Sequence, residues 1–288
     1  MSRIVFVNGE YLPEDQAKIS IFDRGFLMAD GVYEVTSILD GKLIDFPGHA
    51  ARLARSLAEL QMPAPMDDDA LLAMHRELAR LNAIDEGLVY LQVTRGNAGD
   101  RDFVFPDPAK VAPTIVAFTQ TKPGLASGGA AAEKGWRVIT VDDLRWARRD
   151  IKTVQLLYPS MAKMAAKAAG VDDAWMVEDG FVTEGSSNNA WIVKDGKLIT
   201  RARTQEILHG ITRAAVMRLA GEVQLEVEER NFTPAEVQDA DEAFITSATA
   251  FVQPVVQIDG AQIGSGAPGP ISRRMREIYV EEMRKAAI

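Results

Sequence analysis

Cysteine is absent from the 288 residues of the chain. Its absence excludes a disulfide framework, a thiolate nucleophile, a zinc ribbon and an iron–sulfur cluster together. Histidine is scarce: His49, His75 and His209 lie far apart and fit no metal-ligand spacing, so no metal is expected. No apolar run reaches the ~20 residues of a membrane span. The opening Met1–Gly9 reads as a strand and turn without a secretory core, which makes the cytoplasm the expected compartment. Positive charge is also short. Lys and Arg number 32 against 41 Asp and Glu, a net charge of -9, leaving no surplus to neutralise nucleic-acid phosphates. A Gly-x-Ser-x-Gly elbow and a Walker phosphate loop are both missing. Lysine remains as the main source of covalent chemistry, and there are only 11 lysines beside 21 arginines.

What is present is a mixture of short strands and amphipathic helices. Ile4–Val7, Val32–Leu39, Leu43–Phe46, Leu88–Thr94 and Thr114–Thr119 read as strands, with Asp40-Gly41 as a tight turn. A helix is expected from Pro47, with Ala51, Leu53, Ala54, Leu57, Ala58 and Leu60 as its apolar positions. Another should run from about Asp68 to Leu81 behind the acidic cap Asp67-Asp68-Asp69. Residues 122–134, rich in Gly with Pro123 and Ser127, form a linker. It would divide a smaller N-terminal α/β lobe, residues 1–121, from a larger C-terminal lobe, residues 135–288. In the second lobe Arg137–Val141, Ala174–Val177, Phe181–Glu184, Ala190–Val193 and Lys197–Thr200 read as strands. Asp179-Gly180 and Asp195-Gly196 supply hairpin turns there. Helices are expected at Ser160–Ala169, Thr212–Ala220 and Ile271–Ala286, the first two stopped by Gly170 and Gly221. The fold class is mixed α/β in two lobes.

Four segments carry residues suited to chemistry. Lys152 closes an extended stretch, and strand alternation would put Asp150 and Lys152 on one face. Arg145, Arg148 and Arg149 lie within seven residues of it, and nearby cations lower an amine's pKa toward the nucleophilic form. A solvated lysine in a charged segment fits the same pattern. Val182–Asn189 is dense in small polar residues, and Glu184 at a strand end could hold a protonated ring nitrogen or belong to an ordinary polar turn. Gly210-Ile211-Thr212 precedes a helix, where free N–H groups suit a phosphate, although Thr212 serves equally as a cap. Arg52, one turn after His49, is a further possible phosphate partner or a solvated helix arginine.

The order of these segments is more specific than any one of them. Asp23-Arg24-Gly25, Asp30-Gly31-Val32-Tyr33-Glu34, His49-Ala-Ala-Arg52, Asp150-Ile-Lys152, Thr183-Glu184-Gly185-Ser186-Ser187-Asn188-Asn189 and Gly210-Ile211-Thr212-Arg213 follow one another along the chain. Together the set resembles the fold-type-IV pyridoxal-phosphate enzymes, and it covers nearly the whole chain. Val32-Tyr33-Glu34-Val35, Gln92-Val93-Thr94-Arg95-Gly96 and Arg145-Trp146 look most like their D-amino acid aminotransferase branch. The resemblance implies pyridoxal 5'-phosphate held covalently by Lys152, with Glu184 on the pyridine nitrogen and Leu208 packed on the ring. It implies a phosphate site made by Arg52, Gly210, Ile211, Thr212 and Ser247. It further implies a homodimer, with Tyr33 and Arg101 on the substrate carboxylate and Arg101 reaching in from the second subunit.

Two positions depart from that pattern. Arg101-Asp102-Phe103 stands where the D-amino acid branch usually has Arg-x-His, and Phe103 can only pack or exclude water. In Thr246-Ser247-Ala248-Thr249 the family's phosphate-binding threonine falls one residue late, which removes a hydroxyl donor. The expected activity is transfer of an amino group from a D-amino acid to a 2-oxo acid. An (R)-amine or branched-chain transaminase, an aminodeoxychorismate-type lyase and a non-enzymatic binder of phosphorylated ligands are the other readings.

Overall fold

The computed structural model describes residues 2–288. Its contacts divide the chain into two units: the described residues up to 123 with Ile151–Gln155 and Ala286–Ile288, and residues 124–150 with Leu156–Lys285. The sequence places Lys152 in the C-terminal lobe. In the fold its short segment belongs to the first unit, because it lies along a strand of that unit's sheet.

The first unit is built on a six-stranded sheet. Its strands are β1 (Ile4–Val7), β2 (Glu10–Pro13), β3 (Gly31–Leu39), β4 (Lys42–Leu43), β5 (Gly87–Thr94) and β6 (Thr114–Thr121), in the order β2-β1-β6-β5-β3-β4. Helices α1 (Arg24–Met28), α2 (Phe46–Glu59) and α3 (Asp68–Leu81) complete it. Phe6, Val32, Ile38, Leu53, Leu57, Leu78, Val89 and Val93 form its core between the sheet and α2 and α3. α3 starts where its acidic cap predicts, with the Asp67 side chain accepting the Ala70 N–H at 2.8 Å. The strand expected at Leu43–Phe46 is shorter: β4 ends at Leu43, and Phe46 opens α2 ahead of Pro47.

The second unit holds a nine-stranded sheet. It comprises α4 (Gly129–Lys134), β7 (Trp136–Asp142), α5 (Leu157–Ala168), β8 (Asp173–Glu178), β9 (Phe181–Gly185), β10 (Asn189–Lys194) and β11 (Lys197–Thr200). α6 (Ile211–Glu222), β12 (Val227–Glu229), α7 (Pro234–Gln238), β13 (Glu242–Ser247), β14 (Phe251–Ile258), β15 (Ala261–Gln262) and α8 (Pro270–Ala286) follow. The order is β12-β11-β10-β13-β14-β7-β8-β9, with β15 on β14. Part of the expected linker is therefore helix α4, and α6 runs through Gly221 to Glu222. Side chains alternate across the sheet as the pleat demands. Ala190, Ile192 and Ile245 enter one core cluster, while Trp191 and Phe244 stack at 5.4 Å on the other face.

Asp-Gly pairs punctuate both sheets. Asp40-Gly41, Asp179-Gly180, Asp195-Gly196 and Asp259-Gly260 each join two adjacent strands with positive φ at both residues. That geometry matches the twist of the flanking strands and is tolerated best by Asn, Asp and Gly. Among the described residues no helix is long and apolar enough to cross a membrane.

His75 on α3 links the fold to pH. Burial pulls its pKa down to about 4, against the pull of the Leu71 carbonyl that receives its Nδ1 at 2.8 Å. A folded-state pKa below the unfolded ~6.5 means that the unfolded chain binds the extra proton between those values. Stability should therefore fall as the pH drops from ~6.5 to ~4, by up to about 3 kcal/mol at 1.36 kcal/mol per unit. Urea unfolding of His75→Gln at pH 7 and pH 4.5 should show a smaller difference than the parent protein; an equal difference would place the acid sensitivity elsewhere.

Candidate active site

The first unit carries Lys152, Tyr33, Arg52 and Arg101. On β3, alternation sends Tyr33 and Glu34 to opposite faces. The half-buried Tyr33 ring stacks on Tyr90 at 5.6 Å, and burial pushes the Tyr90 phenol up to about 12. Residues 152–154 lie along the start of β3: the Lys152 carbonyl accepts the Tyr33 N–H at 3.0 Å, and the Val154 N–H donates to Gly31 at 3.0 Å. Lys152 Nζ stands 4.1 Å from the centroid of the Tyr33 ring. The segment makes only one isolated bridge, Val32 with Thr153, so the extended alternation of Asp150 and Lys152 expected from sequence is not formed. Nor are the neighbouring arginines left as bare cations. Arg145 pairs with Asp143 and Glu184, Arg148 with Asp150, and Arg149 with Glu178.

Glu34 faces α2, whose inward face is polar as well as apolar. His49, Arg52 and Ser56 are buried beside Leu53 and Leu57, while Ala51, Ala54 and Ala58 of the expected apolar stripe are exposed. Arg52 grips Glu34 with two bonds, Nε at 2.8 Å and Nη2 at 2.7 Å, and His49 Nδ1 sits 2.8 Å from the same carboxylate. Burial pushes the Glu34 pKa up, but Arg52 and His49 outweigh it and hold the carboxyl well below the usual range. The pair fixes the direction of the Arg52 guanidinium. Arg101 lies apart from this cluster on an exposed loop, its guanidinium 4.7 Å from the ring of Phe103. Phe103 itself is 72% exposed.

Glu184, Leu208, Gly210, Ile211, Thr212 and Ser247 belong to the second unit. Glu184, at the end of β9, is buried, and its carboxylate takes three donors. Arg145 Nη1 binds one oxygen at 2.5 Å; Asn189 Nδ2 and the Leu208 N–H bind the other at 2.9 and 3.0 Å. Arg145 is shared with Asp143, which receives its Nε at 2.9 Å and its Nη2 at 2.6 Å. Asp143 also accepts the Thr183 hydroxyl at 2.7 Å. Burial drives the Glu184 pKa up despite Arg145, whereas Asp143, lifted by burial, is brought below its ordinary value by Arg145.

Asn189 ties Glu184 to the start of α6. Its amide donates to the Leu208 carbonyl at 2.9 Å, and a Cβ on Gly210 would fall 2.1 Å from its Oδ1, so that backbone can come this close only as glycine. α6 begins at Gly210 without a side-chain cap, which leaves its first N–H groups and the dipole to an external oxyanion. Asn189 also lies opposite Thr246 in the β10–β13 register, next to Ser247.

These groups fit pyridoxal phosphate. A carboxylate offers about four acceptor positions, and the donors on Glu184 use three, so one N–H more can be accommodated. An uncapped helix start suits the phosphate. A dinucleotide loop is expected to be missing, yet a second glycine-rich segment, Gly264-Ser265-Gly266-Ala267-Pro268-Gly269, has its Gly-x-Gly-x-x-Gly spacing. Its helix start is already occupied, since Glu242 accepts the Ile271 and Ser272 N–H groups, both at 2.8 Å.

Residues 31–258 match the amino-transferase class IV family. The chain belongs to that family. It is thus a pyridoxal-phosphate-dependent aminotransferase of fold type IV, as its motif order implies. A D-alanine aminotransferase of Bacillus licheniformis is 39% identical over 272 residues, 94% of each chain. One of Staphylococcus haemolyticus is 37% identical over 273 residues, 95% of each chain. Among solved structures, the T.th. branched-chain amino acid aminotransferase with pyridoxamine 5'-phosphate superposes with a TM-score of 0.88 at 29% identity, over 98% of this chain and 94% of that one.

Sequence reading misses Arg145, Asp143 and Asn189 as functional residues. The one available signal is the pair Arg145-Trp146, which marks a family branch without revealing what the arginine holds. Replacing Arg145 by Met leaves Glu184 buried without its cation, a loss of about 3–5 kcal/mol where the carboxylate is ionised. A carboxyl whose folded pKa is raised destabilises the fold as pH rises above its unfolded value, and this variant raises it further. Thermal unfolding of Arg145→Met should therefore show a deficit that grows from pH 5 to pH 8. A deficit independent of pH would assign Arg145 a packing role.

Proposed function

We propose that the chain transfers the amino group of a D-amino acid, of the D-alanine or D-glutamate type, to a 2-oxo acid such as pyruvate or 2-oxoglutarate in ping-pong order. The observation that carries the reading is Glu184: a buried carboxylate with a raised pKa, one acceptor position to spare and an uncapped helix start tied to it through Asn189. Likeness over nearly the full length to two proteins named D-alanine aminotransferase supports the choice of donor.

Pyridoxal phosphate supplies a carbonyl that captures primary amines and a protonated ring that draws electrons from the adjoining carbon. Lys152 holds it through its amine and, once displaced by the donor's amino group, moves the proton at the donor's Cα. Glu184 accepts the ring N–H and keeps that nitrogen protonated. Leu208 packs on the ring. Arg52, the backbone at Gly210, Ile211 and Thr212, and the Thr212 and Ser247 hydroxyls take the phosphate. Tyr33 and Arg101 take the substrate carboxylate.

Arg101 acts from the second subunit of a homodimer. Both units expose large apolar side chains that a partner copy would cover: Ile21, Phe26, Phe103 and Val104 in the first, Leu157, Met161 and Met164 in the second. A second reading, an (R)-amine or branched-chain donor, is favoured by Phe103, which stands in place of a polar carboxylate partner.

Full conversion of the visible spectrum to the pyridoxamine form by D-alanine, and not by L-amino acids, is the expected half-reaction. Conversion by (R)-amines or branched-chain amino acids and not by D-alanine would select the second reading, and repeated release of pyruvate from aminodeoxychorismate with no amino acceptor, the cofactor staying in the pyridoxal form, would select a lyase. Lys152→Ala should abolish turnover. Arg101→Ala should lower kcat/KM for D-alanine by ~10–150-fold, the span of ~1.5–3 kcal/mol for a charge-assisted pair, and hardly affect an amine without a carboxylate. Equal losses for both substrates would make Arg101 structural.

A further inference from the structure

The C-terminal helix α8 inserts one arginine beneath the β13–β14 hairpin, within the second unit. Arg276 is only 8% exposed, and its four hydrogen bonds all go to backbone carbonyls. Nη1 donates to Ala250 and Val252, both at 2.7 Å; Nη2 donates to Leu125 at 2.7 Å and Ala126 at 3.2 Å. The guanidinium is tightly enclosed, since a Cβ on Gly128 would fall 2.6 Å from Nη2. Its charge is answered by carbonyl dipoles, and burial pulls its pKa down to about 10.

The two carbonyls on Nη1 flank Phe251, whose φ is +57°. Ser247 pairs with Phe251 across residues 248–250, and the residue that closes such a three-residue hairpin loop commonly takes a left-handed bulge, a position suited to glycine. A phenylalanine there is strained and persists only where its surroundings dictate it. Here α8 dictates it twice. Tyr279 packs its ring 5.1 Å from that of Phe251, and Arg276 holds the peptide groups on either side. Within the loop, the Ala250 N–H donates to Ser247 Oγ at 3.1 Å, leaving the hydroxyl proton to be given elsewhere.

We propose that Arg276 is a positioning residue for the cofactor's phosphate: by clamping the Ala250 and Val252 carbonyls it holds the strained turn that aims the Ser247 hydroxyl. This rests on the reading above in which Ser247 takes the phosphate. Ala248, next in the turn, carries no hydroxyl to share the work.

The test strips the full-length protein of cofactor and titrates it with pyridoxal 5'-phosphate and with phosphate-free pyridoxal. Arg276→Gln should weaken the phosphorylated ligand by about tenfold, the equilibrium equivalent of one well-made hydrogen bond, and leave pyridoxal nearly unchanged. Arg276→Lys, which keeps the charge with fewer donors, should fall between. Gly128→Ala, which pushes on the guanidinium from the other side, should give the same selective loss if Arg276→Gln fails to fold. Equal weakening of both ligands, or of neither, overturns the proposal. Ser247→Ala separates the two levels. If it changes the ratio of affinities while Arg276→Gln does not, Arg276 has no such role; if it leaves the ratio unchanged, this turn does not bind phosphate and the proposal falls with that reading.

Discussion

A carboxylate taken out of water must be met by donors and a cation, and each unit of this chain holds one such carboxylate among the candidate residues. Glu34 on β3 is met by Arg52 and His49; Glu184 on β9 is met by Arg145, Asn189 and the Leu208 N–H. Breaking a buried pair of this kind costs about 3–5 kcal/mol, because the surviving charge stays buried. Exposed pairs such as Arg218–Glu222 contribute ~0–1 kcal/mol. The buried pairs therefore constrain the backbone around them. They oblige α2 to present a polar face to the sheet, and they draw the segment before α6 against the end of β9.

The two carboxylates are nevertheless held in opposite electrostatic states. Glu34 has Arg52 in a two-pronged grip with His49 beside it, and its pKa is depressed. Glu184 shares its one arginine with Asp143, and burial leaves its pKa raised. The difference separates their work. Glu34 is neutralised within the fold, so it can orient Arg52 without calling for another cation. Glu184 retains a demand for positive charge, which under the proposed function a protonated pyridine nitrogen would meet. A cation bound there is stabilised in proportion to how poorly the bare carboxylate is compensated, and that is how the fold can hold the ring in the electron-withdrawing form.

Sequence made some of this legible. The Asp-Gly turns and the capped α3 declare themselves because their signals are local. The residues Lys152, Glu184 and Arg52 emerge only from the order of their motifs. The inward face of α2 is not legible by hydrophobic counting, since Ala51, Ala54 and Ala58 look apolar while His49 and Arg52 are the residues buried. β13 and β14 stay hidden for another reason. They are central strands without clean alternation, and Pro254 within β14 argues against a strand assignment. Arg145 and Asn189 are ordinary residues until the fold brings them to Glu184, 39 and 5 positions away. Pairing over such separations leaves no mark in a single sequence.

The division of labour between buried and exposed residues explains how one family can hold its cofactor chemistry while changing substrate. Fixed dipoles and paired charges act strongly only where water is excluded, and Glu34, Arg52 and Glu184 are buried with Arg145 partly so. Any substitution among them disturbs a compensated network. Arg101 and Phe103 sit on an exposed loop outside those buried pairs. A likeness of 29% to a branched-chain enzyme and of 39% to a D-alanine enzyme can thus coexist with one fold. Under the proposed function that loop is where substrate choice can change without disturbing the buried pairs, and Phe103 would be a change of that kind.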